Sequence, residues 1–192
     1  SLANEEVFIF HQEAFADRIE LERVLHHLKE HVKGFHPIEI LSEDISLNDL
    51  VSSYLLNSQL ITVDNNEMMM LLPEEVQNHP NCMRWLDEIK SSSPIKHLEF
   101  VDIRQSMMNG GGPACLRFKA VVNNDEFDQL NEKFLLSPTK LMDLRALVNK
   151  HYRDQLNPED LLDIKLMQES YTFLDELTQL LDLGALYNFQ KN

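Results

Sequence analysis

Two stretches of the chain repeat one pattern, in which a short apolar run, an amphipathic helical segment and a second apolar run follow each other. The first joins "EVFIF" to "IEIL", and the second joins "MMMLL" to "HLEFVDI". In each stretch the two apolar runs lie about 30 residues apart, within the range that suggests repeated modules, and strands that alternate with helices indicate strand–helix–strand units. Residue identity between the stretches is low, so an ordinary α/β domain would show the same pattern. We predict an α/β fold with about two such modules, followed by C-terminal helices.

Capping signals mark the predicted helices. The segment "ADRIELERVLHHLKEHVKG" has apolar residues at helical spacing, and Gly34 is expected to be its C-cap. Ser46 is a predicted N-cap. Ser137 with Pro138 begins another helix, and Asn157 is expected to begin one that continues to Gly184.

Two further elements are predicted around a turn and a loop. "LITVDNNEMMMLLP" is typical of a hairpin with Asn65 and Asn66 at the turn. "PACLRFKAVV", residues 113–122, is expected to be a strand that follows a glycine-rich loop.

The charge balance excludes some partners. The 192 residues carry a formal net charge of -15, which disfavours nucleic acid and anionic membranes. No apolar run approaches the roughly 18 residues of a membrane span, and no leader peptide precedes Ala3. Ser1 and Leu2 could be an expression scar. With only two cysteines, a reducing, cytoplasmic setting is expected.

Three of the five glycines are consecutive, at Gly110–Gly112, shortly before Cys115. Glycines accept φ > 0 and leave backbone N–H groups open to a ligand, so the loop would allow a tight reversal with the thiol facing its contents. The simpler alternative is a flexible turn beside a buried cysteine. The run lacks the ending of a phosphate loop, and it leads into a strand, unlike a dinucleotide-binding loop.

The remaining candidate ligands and nucleophiles are weaker. His27 and His31 are spaced i, i+4 and could share a metal ion, but we find no third ligand at a fitting spacing. A solvated helix face is therefore favoured, and no metal is predicted. Cys82 is interpreted as structural. Cys115 is a candidate nucleophile, but no histidine has a local context that marks it as the base that such a thiol needs.

"DIRQSMMNGGGPACLRF" resembles the signature near the C-terminal end of the N-succinylarginine dihydrolase family, within the guanidine-modifying superfamily. Three further stretches agree in order, namely "HQEAF", "SSYLLNSQL" and "LLDLGALYNFQ". The resemblance extends from Ala3 to Gln190. It implies that residues 3–192 are the C-terminal portion of a single catalytic domain, a five-bladed α/β propeller (pentein).

The resemblance also implies site residues and partners. Cys115 matches the catalytic nucleophile, Asn109 matches a substrate-binding asparagine, and Gly110–Gly112 would form the loop wall. The family's catalytic glutamate and histidine lie upstream of the point that matches Ser1, so the chain alone is expected to be inactive. The implied substrate is N2-succinylarginine, with no cofactor and a homodimeric assembly.

Two alternatives remain open. An arginine-deiminase relative would use the same cysteine chemistry but stop after releasing one ammonia. A non-enzymatic α/β interaction module would bind a partner through the glycine loop and bury Cys115.

Overall fold

The structure, a computed structural model, describes residues 1–63, 67–104 and 120–191. It divides the chain into two compact units, Ser1–Lys119 and Ala120–Asn192. Among the described residues, two three-stranded sheets and six α-helices confirm the mixed α/β class. That residues 3–192 belong to one catalytic domain stays a prediction.

The first unit opens with a module of two strands, a helix and a third strand. The N-terminal hairpin is antiparallel, and the helix then carries the chain back to a third strand that pairs in parallel with the second, with Val7 opposite His36. Its elements are β1 (Leu2–Asn4), β2 (Val7–His11), α1 (Arg18–His31) and β3 (His36–Ile40).

The second module repeats this topology. An antiparallel hairpin is followed by a helix and a parallel strand, with Pro73 opposite Val101 at the end of the ladder. Its elements are β4 (Gln59–Thr62), β5 (Met68–Pro73), a 3₁₀ turn (Glu74–Asn78), α3 (Pro80–Ser92) and β6 (Ile95–Val101). The predicted repeat of strand, helix and strand is confirmed, and each copy gains an antiparallel strand in front.

The two modules are joined by α2 (Leu47–Ser53) and a 3₁₀ turn (Leu55–Asn57). At their junction the Asn4 amide donates to Thr62 Oγ1 at 2.8 Å. Their apolar side chains form one core, because the buried faces of both sheets contribute to the same cluster. Burying each of these side chains contributes about 1.5–3 kcal/mol relative to exposure.

Strand β5 places its methionines by simple alternation. Met68, Met70 and Leu72 are fully buried, whereas Met69 and Leu71 are half-buried. Alternate side chains of a strand point to opposite faces, so the apolar run fits a strand covered more fully on one face. The predicted hairpin of β4 and β5 is confirmed, and its turn residues Asn65 and Asn66 lie outside the described residues.

The predicted caps are confirmed in two places and wrong in a third. Ser46 accepts a hydrogen bond from Asp49 N at 3.1 Å, and Ser137 accepts one from Lys140 N at 3.2 Å. Gly34 was expected to cap α1, but the helix ends at His31 with Val32 as its C-cap. Gly34 instead takes a left-handed conformation, with φ +78°, in the following turn.

The second unit is helical among its described residues. Its α-helices are α4 (Asn124–Asp128), α5 (Pro138–His151) and α6 (Ile164–Leu180), with 3₁₀ turns at Glu132–Phe134, Pro158–Leu162 and Asn188–Gln190. The rings of His151 and Tyr152 on and after α5 meet Phe173 of α6 edge to face, with centroids 6.1 and 5.0 Å apart. No helix in the described part of the chain is both long and apolar enough to cross a membrane.

Two sequence expectations fail here. A single helix was predicted from Asn157 to Gly184, but a 3₁₀ turn comes first, Asp163 then caps α6, and the helix stops at Leu180. The Asp163 side chain accepts from Lys165 N at 2.9 Å and so favours a new start. The strand predicted over 113–122 does not extend through residues 120–122, which belong to no strand, and residues 113–119 lie outside the described residues.

Candidate active site

The predicted site residues fall in one segment that the structure does not describe. Asn109, Gly110–Gly112 and Cys115 all lie within residues 105–119. Their assigned roles therefore stay predictions. The described chain reaches Arg104 and resumes at Ala120. The surroundings of the site are therefore described from the residues that lead up to Arg104.

Parallel pairing of β5 and β6 sets the edge from which this segment departs. Pro73 and Val101 are partners at the end of the ladder, so the residues that follow each strand leave from the same edge of the sheet. The carboxyl ends of parallel strands are where open α/β sheets place their ligand sites. The chain after β6 continues through Asp102 to Arg104, and the chain after β5 begins with Glu74 and Glu75.

Arg104 is held by a two-pronged pair with Asp102. Its Nε lies 2.9 Å from Asp102 Oδ1 and its Nη2 lies 2.6 Å from Oδ2, while Nη2 is 3.8 Å from Glu74 Oε2. Hydrogen bonds from the Arg104 side chain and backbone lower the pKa of Asp102 to about 2. Asp102 is therefore ionised at neutral pH, and the pair fixes the chain directly after β6.

A further carboxylate at this edge, that of Glu75, is shielded from solvent. Oε2 of Glu75 is hidden from solvent and has no hydrogen-bond partner among the described residues. Among the described residues that follow β5 and β6, Glu74, Glu75 and Asp102 place three carboxylates at this edge, against the guanidinium of Arg104. Such an edge favours cationic groups, and carboxylates bind planar guanidinium ions particularly well.

Cys82 can be excluded as the nucleophile. It is completely buried on α3, and its Sγ donates to Ser53 Oγ at 3.6 Å. Burial raises the pKa of the Cys82 thiol, and the Ser53 hydrogen bond only partly opposes this. Because the thiolate is the reactive form, this cysteine is inert at neutral pH, and its structural interpretation is confirmed.

The buried histidine of the first unit has a structural role. His11 ends β2, and its Nε2 donates to Ile45 O at 3.0 Å, while Nδ1 accepts from Glu13 N at 3.2 Å. Both ring nitrogens are used, so this ring is not free to take a proton from a thiol.

The second unit contains a cavity of about 340 Å³ that sequence reasoning missed. His151 lies at its wall, and the Nε2 atom of this residue is 3.0 Å from Glu176 Oε2. Lys150 also binds Glu176, and both bases lower the pKa of that carboxyl, His151 most strongly. Arg153 pairs with Glu169 at the cavity wall, Nε to Oε2 at 2.7 Å. The bases lie at and just after the end of α5 and the carboxylates lie on α6, so residue spacing alone does not reveal these pairs.

Donor atoms that could share a metal ion come together, in the described part of the chain, at His27, Glu30 and His31. All three side chains are exposed on α1. The i, i+4 spacing of the two histidines is visible in the sequence, but Glu30, three residues after His27, does not share that spacing and was missed as the third ligand.

Comparison with known proteins gives one consistent result. A model of the succinylarginine dihydrolase family matches residues 1–190. Proteins named N-succinylarginine dihydrolase from Pseudoalteromonas atlantica, Erwinia tasmaniensis and Idiomarina loihiensis are 40%, 41% and 40% identical to the chain. Each alignment covers 100% of this chain but 43% of the relative, so the chain spans less than half the length of these relatives. With its match extending over both units, the chain belongs to the succinylarginine dihydrolase family.

Proposed function

We propose that this chain is the C-terminal part of an enzyme that hydrolyses N2-succinylarginine to N2-succinylornithine, two molecules of ammonia and carbon dioxide. The observation that carries the proposal is the family match over residues 1–190, with relatives of that name about 40% identical along the whole chain. The activity belongs to the whole protein, of which this chain supplies the nucleophile Cys115 and the substrate-binding Asn109.

In the first half of the reaction the Cys115 thiolate adds to the guanidinium carbon. The bond from that carbon to a terminal nitrogen breaks, the nitrogen leaves as ammonia with an added proton, and an amidino-thioether remains. Water then adds to the same carbon, and the carbon–sulfur bond breaks to return the thiolate. The product at this stage carries a ureido group.

A second cycle acts on the ureido group. Thiolate addition and loss of the remaining terminal nitrogen release the second ammonia, and a second water frees the sulfur. The resulting carbamate splits into carbon dioxide and the amine of N2-succinylornithine. Two waters are consumed for each substrate, and no electrons are exchanged, so the reaction requires no redox cofactor.

The described residues support the binding half of this chemistry. The edge from which residues 105–119 depart carries Asp102, Glu74 and Glu75, and its charge favours a guanidinium ion. A free thiol has a pKa of about 8.5, so positive charge must stabilise the thiolate, and the substrate guanidinium contributes this charge. The base that activates water comes from the remainder of the protein.

The wider architecture follows the same proposal. Two modules with one repeated strand order are what a propeller assembled from equivalent blades would contain. We place these modules in a five-bladed α/β propeller of a homodimeric, cytoplasmic enzyme.

The proposal is tested by measuring ammonia released per N2-succinylarginine consumed. The full-length protein from the source gene should release two, its Cys115→Ala variant should release none, and the 192-residue chain alone should match that variant. A full-length protein without turnover would contradict the proposal. Turnover by the isolated chain would contradict the inference that the base that activates water lies in the rest of the protein.

The same assay separates the alternatives. One ammonia with a citrulline-type product would identify a deiminase-like hydrolase. A non-enzymatic module would show no turnover, and its Cys115 would resist a small alkylating reagent in the folded chain. The Cys115→Ala chain is the control, because its remaining thiol, Cys82, is buried and should stay unlabelled.

A further inference from the structure

The exposed face of α1 carries a group of metal-binding side chains that the hydrolase reaction does not use. His27, Glu30 and His31 stand at i, i+3 and i+4 near the end of the helix. Residues at these spacings are neighbours on a helix surface. One donor atom from each lies within 4.8 Å of the others, and the two imidazole rings have centroids 4.1 Å apart.

The hydrogen bond of His31 favours metal binding. Its Nδ1 lies 2.8 Å from the His27 carbonyl oxygen, and because a carbonyl can only accept, Nδ1 must carry the proton. The lone pair is therefore on Nε2 of His31. Metal-binding histidines typically donate their second nitrogen to a carbonyl in this way, which fixes the tautomer and ring orientation.

The surroundings also favour a cation. Glu30 supplies a carboxylate, one oxygen of which lies 3.4 Å from His26 Nε2, and its second oxygen is available to a metal. The last turn of a helix carries partial negative charge from its free carbonyls, and His31 is the last residue of α1. The chain as a whole has a net charge of -15.

We propose that His27, Glu30 and His31 bind a divalent late transition-metal ion, Zn²⁺ being the physiological candidate. Two imidazoles and a carboxylate suit Zn²⁺, Ni²⁺ and Cu²⁺ and disfavour Mg²⁺ and Ca²⁺. Metal–ligand bonds of about 2.0–2.2 Å require the donor atoms to move closer together, which exposed side chains achieve by small rotations. The remaining coordination positions face solvent. The ion would cross-link one turn of α1.

Titration of the tag-free chain with Co²⁺, followed by competition with Zn²⁺, tests the site. Cys115→Ser is used as the background so that this thiol contributes no ligand. At about pH 7.5, where imidazoles are mostly neutral, one equivalent of Co²⁺ should bind with saturable absorption, and Zn²⁺ should displace it. His27→Gln and His31→Gln should each weaken binding by about tenfold or more, and Glu30→Gln should weaken it less.

His97→Gln is the matched control. His97 is an exposed histidine of β6, and it lies beside the carboxylate of Glu67. It should bind like the background protein. A second readout is hydrogen exchange at Val32 N–H, which bonds to Leu28 O in the last turn and should be slowed by Zn²⁺. The absence of saturable binding, or equal losses in His97→Gln and His31→Gln, would overturn the proposal.

Discussion

The two modules of the first unit share one strand order but hold their helices in different ways. Helix α3 buries four residues against the sheet, namely Cys82, Trp85, Leu86 and Ile89. Helix α1 buries Leu21 alone, and its apolar residues Ile19 and Val24 are exposed. Strand pairing therefore determines the topology of each module, whereas the residues of each helix determine how firmly it is packed.

Polar contacts at the start of α1 partly replace the missing core contacts. Asp17 caps its first turn by accepting from Glu20 N at 3.0 Å. The Arg18 guanidinium forms a two-pronged pair with Glu39 of β3, with Nη2 2.9 Å from Oε2. Helix α3 has no side-chain cap and begins at Pro80. We therefore expect shortened core side chains to lower stability through α3. Variants that remove the N-terminal cap or the ion pair should lower it through α1.

The largest expected effect comes from shortening one apolar side chain on each of the two helices. Leu86→Ala should lower the free energy of unfolding by about 2–5 kcal/mol, because it leaves a cavity in a fully buried site. Val24→Ala, whose side chain is 46% exposed, should change it by about 0.5 kcal/mol or less. Urea unfolding measures both, and equal losses would show that α1 is packed as firmly as α3.

The intermediate effect concerns the cap of α1. Asp17→Ala should cost about 1 kcal/mol, because the Glu20 N–H loses its acceptor. Asp17→Asn retains a capping oxygen and serves as the control in the same urea experiment. If the asparagine variant lost as much stability as the alanine variant, the hydrogen bond would not be the cause.

The smallest effect concerns the pair of α1 with β3. Hydrogen bonds from Arg18 lower the pKa of Glu39 below its usual 4.5 in the folded chain. A group with a lowered folded pKa contributes stability above its unfolded pKa and loses that contribution as pH falls through the folded pKa. Glu39 should therefore contribute above about pH 4.5 and progressively less below it.

Glu39→Gln isolates this contribution. Stability curves of the parent and the variant should differ slightly at neutral pH and converge in acid, and the difference should shrink at about 1 M salt, since the pair is partly exposed to solvent. If the difference in stability between the parent and the variant grew as the pH fell, the stabilising role of the Arg18–Glu39 pair would be contradicted.

Much of the first unit was predictable because its signals are local. The alternation of apolar runs with helical segments located the modules, and Ser46 lies where the sequence placed a helix start. The end of α1 and the break before α6 were missed. Both depend on the extended backbone conformations of Val32 and Asp163. These interrupt the helix at positions where the residue pattern alone would let it continue.

The site was less predictable, because it depends on distant partners. The structural role of Cys82 follows from its apolar neighbours and was anticipated. The approach of Arg104 to Glu74 and the shielding of Glu75 arise only once β5 and β6 are paired. The roles of Cys115 and Asn109 depend on the family signature, and they stay predictions.

The alternating burial along β5 has a consequence for oxidative damage. Met68 and Met70 are completely enclosed, whereas Met142 of α5 is 71% exposed and Met167 of α6 is 45% exposed. Sulfoxide formation requires peroxide to reach the sulfur, so mild treatment should modify Met142 and Met167 before Met68 and Met70. The two enclosed methionines would keep their thioethers until the surrounding core opens, which makes their oxidation a chemical record of unfolding.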